Sequence, residues 1–179
     1  MKRIFLSLGS NLGDRAAQLQ HALSLLSENG IHIERTSSFY KTEPVGFLPQ
    51  AWFLNLAAEA LTDLLPLQLL HSCQRIERQA GRRAGVRKGP RALDVDILFY
   101  ESAVIRTSEL TIPHPAIAER RFVLIPLAEI APGARHPVTQ QTVLDLLHET
   151  TDHSQVVRWH PAAAGAAGVT KQEKSQALK

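Results

Sequence analysis

Cysteine is almost absent from this sequence, and several features that mark particular classes of protein are missing with it. The single cysteine, Cys73, cannot form an internal disulfide, and without a Cys-x-x-Cys pair a structural zinc site is not expected. No stretch approaches the roughly 18 apolar residues of a membrane span. Twenty Lys and Arg against seventeen Asp and Glu give a net charge of +3, too small for a protein that coats nucleic acid. We therefore expect a cytoplasmic protein with neither membrane nor nucleic acid as partner.

The two ends of the 179-residue chain differ in composition. Residues 1–9 begin with basic residues and continue with apolar ones, as a secretory leader does. The apolar run stops at Gly9, short of the roughly 7–15 residues of a leader core, so a first strand is the better interpretation. Residues 160–179 are mostly Ala, Gly, Lys, Gln and Ser, which cannot offset their ordering entropy. We predict one domain over 1–159 and a disordered tail over 160–179.

The apolar pattern alternates between strand and helix periods. It predicts strands at 4–8, 31–40, 53–61 and 93–100, and helices that begin near Asp14 and Pro66. The second helix has an apolar stripe that includes Cys73, which predicts a buried thiol rather than a nucleophile. The order βαββαβ predicts an α/β (α+β) ferredoxin-like sandwich, with a mainly antiparallel sheet and helices on one face. The other face is then free to build a site.

Two acidic residues alternate with apolar residues in the last of these strands. Residues two apart on a strand share a face, so Asp94 and Asp96 point one way and Val95 the other. Adjacent carboxylates favour a hard cation such as Mg²⁺, although an edge strand with solvated acids is the simpler explanation. Between residues 75 and 91 there are seven basic residues and one acid, Glu77. A metal-type acid pair beside a cation cluster is what a Mg²⁺-nucleotide requires, which favours the metal interpretation.

Aromatic residues supply a second candidate feature. Phe53 and Asn55 share one face of their predicted strand, and Phe122 follows a pair of arginines. Two phenylalanines can sandwich a flat heterocycle while an asparagine reads its edge, although either ring taken alone fits a core position. His114, between two prolines, is held in a rigid turn, where the simpler interpretation is a surface histidine bonded to the backbone.

Five motifs, taken in chain order, are similar to those of one enzyme family. They are the runs at 9–13, 38–46, 53–55, 89–96 and 112–115, of which Gly-Pro-Arg-x-x-Asp-x-Asp at 89–96 is the most specific. Together they resemble the 6-hydroxymethyl-7,8-dihydropterin pyrophosphokinase family of folate biosynthesis, from about residue 4 to about residue 147. The resemblance implies a ferredoxin-like fold and transfer of pyrophosphate from ATP to the pterin hydroxymethyl group, with release of AMP.

The resemblance also implies roles for the matching residues. Asp94 and Asp96 would hold two Mg²⁺ ions and, with Arg82 and Arg91, form the catalytic set. The nucleotide contacts implied are Arg82, Arg87, Arg91, Ile97, His114 and Arg120. The pterin contacts implied are Gly9, Thr42, Glu43, Val45, Phe53, Asn55 and Phe122. The loop at 81–87 does not align uniquely, so the second phosphate-binding arginine could also be Arg83 or Arg87.

Two other functions fit parts of the pattern. An RNA-binding module shares the βαββαβ order and a basic patch, but no strand has the exposed aromatic motif that such modules use. A metal-dependent nuclease could use Asp94 and Asp96, but no further acids cluster with them. We expect ATP and the pterin as partners of a monomer.

Overall fold

The computed structural model describes residues 1–44, 50–81 and 91–161, so the predicted tail lies outside the described residues from 162 onward. The strands are β1 (Lys2–Ser10), β2 (Ile31–Thr36), β3 (Tyr40–Thr42), β4 (Phe53–Thr62), β5 (Asp94–Tyr100), β6 (Ile105–Arg106), β7 (Thr111–Ile112) and β8 (Val156–Arg158). The helices are α1 (Arg15–Glu28), α2 (Pro66–Gln79), α3 (Arg121–Ile130) and α4 (Val143–Glu149). No helix in these ranges is long and apolar enough to cross a bilayer.

The main sheet is antiparallel and has β1 near its centre. Its order is β5-β1-β4, and both β2 and β3 pair with the remaining edge of β4. The predicted second strand is therefore present in two parts, since Ser37 interrupts it by placing its side-chain oxygen where it accepts from the N–H of Ala57 at 2.9 Å. This arrangement confirms the predicted ferredoxin-like class. β8, which extends the sheet beyond β3, was not predicted.

The first two helices begin and pack as the sequence predicts. Asp14 caps α1 by accepting from the N–H of Ala17 at 3.0 Å, and Pro66 occupies the first turn of α2. Cys73 on α2 is 1% exposed, and burial raises the pKa of its thiol to about 12. The thiol is therefore an inert core group, as predicted.

Helices cover both faces of the sheet, so the prediction of helices on one face only is wrong. α1 and α2 pack on the face that carries Ile4, Leu6 and Leu8. α3 packs on the opposite face, where Phe5 and Phe99 meet its apolar residues, among them Val123, Leu124 and Leu127. This second core exists because β1 and β5 are apolar on both faces at that end. The rest of this face, which α3 does not cover, remains open.

Glu129, near the end of α3, bonds this helix to the start of β3 and the residues just before it. Its carboxylate accepts from the N–H of Ser38 at 2.9 Å, the hydroxyl of Ser38 at 2.8 Å and the hydroxyl of Tyr40 at 3.0 Å. Burial opposes ionisation of this carboxyl, but the bonds from Ser38 and Tyr40 outweigh it and lower its pKa. The ionised form of Glu129 therefore stabilises the fold.

Replacing Glu129 with Gln should lower the free energy of unfolding at neutral pH by about 1–2 kcal/mol. Because the folded-state pKa of Glu129 is lowered, its contribution is complete above the ordinary glutamate pKa and disappears as the pH falls through the lowered value. Denaturant unfolding of both proteins at neutral and acidic pH measures this difference. A stability difference that stays the same across the whole range would contradict the assigned contacts.

Candidate active site

A cleft of about 290 Å³ occupies the half of the sheet face that α3 leaves open. It lies over the ends of β1 and β3 and the starts of β4 and β5, and the beginning of α3 forms another wall. The described residues around it include most of the predicted site residues: Gly9, Thr42, Glu43, Phe53, Asn55, Arg91, Asp94, Asp96, Arg120 and Phe122. Ser7, Gln50, Ala116 and Glu119 also line it and were not predicted.

The two acids of β5 face the cleft side by side. β1 sets their positions, since Gly9 pairs with Asp94 and Ser7 pairs with Asp96 in the antiparallel register. Val95, between them, points into the opposite core, as the alternation predicted. Burial, and then the charge of Asp94, raise the pKa of Asp96 above the usual aspartate value. A bound cation would relieve this electrostatic cost.

Basic side chains surround the acid pair. Arg91 donates to Asp94 Oδ1 from Nη1 at 2.6 Å, and Arg120 donates to Asp96 Oδ2 from Nη1 at 3.1 Å. His114 Nε2 lies 3.8 Å from the same Asp96 oxygen. Burial lowers the pKa of His114 even though Asp96 acts in the opposite direction, so the ring is biased toward its neutral form. Acidic and basic side chains therefore alternate in the cleft, and each arginine can exchange its carboxylate partner for an anionic ligand.

The donor set fits Mg²⁺ bound together with a ligand rather than by protein alone. Within 1–44, 50–81 and 91–161 no cluster of three or more His, Cys, Asp or Glu residues forms a metal cage. Mg²⁺ is commonly held by one or two carboxylates, with phosphate oxygens and water completing an octahedron. Asp94 and Asp96 supply two such carboxylates on one face.

The other end of the cleft is built for a flat polar group. Asn55, on β4, is buried and donates from Nδ2 to Thr42 Oγ1 at 2.7 Å. Gly9 passes directly beside this amide, so that a Cβ at Gly9 would lie 2.3 Å from Asn55 Oδ1. Phe53 and Phe122 add aromatic surface, and the guanidinium of Arg120 lies 5.7 Å from the Phe122 ring centre. Amide and rings thus share the cleft with the acid pair.

The sequence is similar to those of known proteins. The model of the 7,8-dihydro-6-hydroxymethylpterin-pyrophosphokinase (HPPK) family matches residues 5–132. The 2-amino-4-hydroxy-6-hydroxymethyldihydropteridine pyrophosphokinase of Bacillus subtilis is 42% identical over 156 residues, which are 87% of this chain and 89% of that protein. The chain belongs to this family. The protein of the same name from Methylorubrum extorquens is 47% identical over 133 residues, 74% of this chain and 84% of that one.

Pyrophosphokinase activity in folate biosynthesis follows from this membership, and nothing among the relatives supports the RNA-binding alternative. The fold agrees as well. The crystal structures of Plasmodium falciparum HPPK-DHPS include one with a TM-score of 0.66 and 17% identity, covering 82% of this chain and 45% of that chain. This chain therefore spans less than half of that longer protein, and at this identity the likeness concerns the fold.

Asn11 fixes the backbone at the base of the site, a role that the sequence did not predict. Its Oδ1 accepts from the N–H of Arg91 at 2.7 Å, and its own N–H donates to the Arg91 carbonyl at 3.1 Å. Its Nδ2 donates to the Ala51 carbonyl at 3.2 Å. The turn at 9–13 therefore fastens Arg91 and the start of β4 together. An asparagine in a turn carries no signal for partners 40 and 80 residues away.

Glu77 supports the acid pair from behind. It is 4% exposed on α2, and its Oε1 accepts from the N–H of Val95 at 2.9 Å. Val95 separates the two acids, and β5 is an edge strand with no ladder partner on that side among the described strands. The sequence marked Glu77 only as the single acid in a basic stretch. Its position explains that exception, since a buried acceptor is needed there.

Replacing Glu77 with Ala should lower the free energy of unfolding by about 1–3 kcal/mol, because the buried N–H of Val95 loses its acceptor. Turnover should fall as well, since this bond fixes the backbone between Asp94 and Asp96. Denaturant unfolding and initial rates measure the two effects. Glu28→Ala, at an exposed position on α1, is the control that should change neither.

Five predicted residues are not among the described residues that line the cleft, and one of them, His114, lies beside it, with Nε2 3.8 Å from Asp96 Oδ2. Val45, Arg82 and Arg87 lie outside the described residues, as does the alternative Arg83. Ile97 is 5% exposed and packs in the core on the opposite face of β5. Its side chain therefore does not reach the cleft, because it follows the alternation that directs Asp94 and Asp96 there.

Proposed function

We propose that this cleft transfers the β,γ-pyrophosphoryl group of ATP to the hydroxymethyl group of 6-hydroxymethyl-7,8-dihydropterin and releases AMP. The observation that carries the proposal is that one cleft joins an acid pair ringed by cations to an aromatic and amide pocket. The first part suits a triphosphate and the second a flat heterocycle. The family membership of the chain supports the same reaction.

Mg²⁺ is the proposed cofactor, with two ions held by Asp94 and Asp96. When bound, Mg²⁺ neutralises and polarises the phosphate oxygens of ATP. The carboxylate of Asp96 gains from the same event, since burial and the charge of Asp94 oppose its ionisation without a cation.

Arg91 and Arg120 are the proposed phosphate ligands among the described residues. Each now pairs with one acid of the site, so each can turn to a phosphate when that acid binds metal. A guanidinium donates two parallel hydrogen bonds to a phosphate and stays charged at any working pH. Arg82 and Arg87 join this set on the sequence resemblance, and His114 is proposed to contact the nucleotide.

Asn55 is the proposed reader of the pterin edge, between the rings of Phe53 and Phe122. Because Nδ2 of Asn55 is used by Thr42, its Oδ1 remains directed at the Gly9 side and can accept from a pterin N–H. Backbone groups of Thr42, Glu43 and Val45 are proposed to bond the rest of that edge. The absence of a side chain at Gly9 leaves room for both the amide and the ligand.

The proposed transfer is an in-line displacement. The pterin hydroxyl oxygen forms a bond to the β-phosphorus, and the bond from that phosphorus to the oxygen bridging to the α-phosphate breaks, so AMP leaves with the electron pair. Asp96 is proposed to accept the hydroxyl proton through a carboxylate oxygen that the metal leaves free. Positioning and charge stabilisation supply most of the rate.

We also propose that residues 1–159 form a single pyrophosphokinase domain and that residues 160–179 are a disordered tail. The proposed state is a monomer. The cytoplasm, where ATP is available, is the proposed location.

Incubation of the protein with ATP, Mg²⁺ and 6-hydroxymethyl-7,8-dihydropterin tests the proposed function. We expect AMP and a diphosphorylated pterin in equal amounts, which chromatography and mass spectrometry quantify. ADP in place of AMP would indicate transfer of a single phosphoryl group and would contradict the proposal. RNA binding that needs no Mg²⁺ and weakens steeply with salt, without AMP release, would instead support the RNA-binding alternative.

A further inference from the structure

Residues beyond the part of the chain matched by the family model return to the site. The match ends at residue 132, and β8 follows at Val156–Arg158. β8 pairs with β3, and Trp159 donates from its N–H to the Phe39 carbonyl at 2.8 Å. The indole of Trp159 also packs edge-on against the Phe39 ring at 5.8 Å. The backbone that leads into β8 is thereby held beside the cleft.

Asp152 in this segment caps the start of α3. Its Oδ2 accepts from the N–H of Arg121 at 2.8 Å, and its Oδ1 accepts from the N–H of Ser154 at 2.8 Å. Arg121 is the first residue of α3, and the preceding residue, Arg120, gives the helix no side-chain cap. The carboxylate of Asp152 takes that place, which is favourable at the positive end of a helix. The neighbours of Arg121 in the chain, Arg120 and Phe122, both line the cleft.

Gln155 binds a different wall of the same cleft. Its N–H donates to Glu43 Oε2 at 2.7 Å, and its carbonyl accepts from the N–H of Glu43 at 3.1 Å. Glu43 and the adjacent Thr42 line the cleft, and Thr42 holds the amide of Asn55. Residues 152–155, which we call the strap, therefore contact the start of α3 at one end and the end of β3 at the other.

The strap and Glu129 hold opposite ends of α3. Glu129 fixes the far end of the helix to Ser38 and Tyr40, eight residues beyond Arg121, about 12 Å along the helix axis. That contact secures the helix but touches no cleft residue. Among the described residues, Asp152 is the side chain that bonds the backbone at the cleft end of α3 from outside the helix.

We propose that Asp152 is a positioning residue for the pterin pocket, which sets the place of Phe122 relative to Thr42 and Asn55 through the strap. This inference rests on the proposed function, since it assigns Phe122 and Asn55 to the pterin. Arg120 is held separately, by its ion pair with Asp96 in the free protein and by the proposed phosphate contact when ATP is bound. A shift at the start of α3 should therefore weaken the pterin side of the cleft more than the nucleotide side.

Replacement of Asp152 with Asn tests the proposal, with Glu129→Gln as the matched control. Asparagine keeps one acceptor oxygen but turns an NH₂ group toward one of the two N–H donors. Both variants lose a carboxylate that ties α3 to its surroundings, and only the first acts at the cleft. Initial rates of AMP release give KM for each substrate and kcat, and thermal unfolding with circular dichroism confirms the fold.

We expect Asp152→Asn to raise the pterin KM by about tenfold while the KM for ATP changes by less than about twofold. Glu129→Gln should be less stable than the parent protein and keep both KM values within about twofold. A pterin KM unchanged in Asp152→Asn, or raised equally in Glu129→Gln, overturns the inference. If Asp152→Asn does not fold, Asp152→Ser, which retains one acceptor, takes its place, and failure of both to fold overturns it too. An inactive parent protein would instead refute the proposed function itself.

Discussion

Asp94→Ala should reduce pterin-dependent AMP release by about 10³-fold or more while the protein stays folded. Asp94 faces the cleft beside Asp96, and the two carboxylates are the metal ligands of the proposed site. Without one of them, the charge of the triphosphate is no longer balanced where the β-phosphorus must react. The side chain of Asp94 is not in the core, so its loss should cost little stability.

The control for this variant is Asp63→Ala. The side chain of Asp63 is 81% exposed and forms an ion pair with the N-terminal amine at 3.0 Å, far from the cleft lining. Its replacement should leave turnover unchanged. If Asp94→Ala keeps the full turnover of the parent protein with Mg²⁺, the metal assignment is refuted.

Gly9→Ala should lower kcat/KM for the pterin by about 10- to 100-fold, mainly through KM. A Cβ at residue 9 would lie 2.3 Å from Asn55 Oδ1, closer than any van der Waals contact permits. The amide must then turn or shift, which breaks its bond to Thr42 and removes the acceptor proposed for the pterin. Since Asn55 is buried, the same clash should also lower the free energy of unfolding by about 1–3 kcal/mol.

Gly133→Ala is the matched control, because a Cβ there meets no atom within 4 Å. We expect that variant to match the parent protein in both stability and kinetics. Substrate titrations at saturating ATP measure the kinetic effect, and denaturant unfolding measures the stability. An unchanged pterin KM in Gly9→Ala would show that Asn55 does not recognise the pterin.

The parts of the site that follow strand alternation could be predicted from the sequence. The period of two places Asp94 and Asp96 on one face and sends Val95 to the other, and the structure agrees. The same period brings Phe53 and Asn55 into one cleft. These are local rules that need no knowledge of distant contacts.

The parts that depend on distant partners could not be predicted. Nothing near Asn11 indicates that it bonds Arg91, and nothing near Asp152 indicates that it caps α3. Residues 122–130 are mostly apolar in the sequence, but which sheet face they cover depends on Phe5 and Phe99 in separate strands. β8 has three residues, too few for a periodic signal, and it forms because β3 offers an edge.

Anomalous diffraction from crystals grown with Mn²⁺ and a non-hydrolysable ATP analogue tests the central claim most directly. Mn²⁺ takes the same oxygen ligands as Mg²⁺, and its anomalous signal identifies it without ambiguity. We predict peaks within coordination distance of the carboxylates of Asp94 and Asp96, with the phosphate oxygens of the analogue as further ligands. Peaks bound to the analogue at any other place on the protein, with both carboxylates still paired to Arg91 and Arg120, would contradict it.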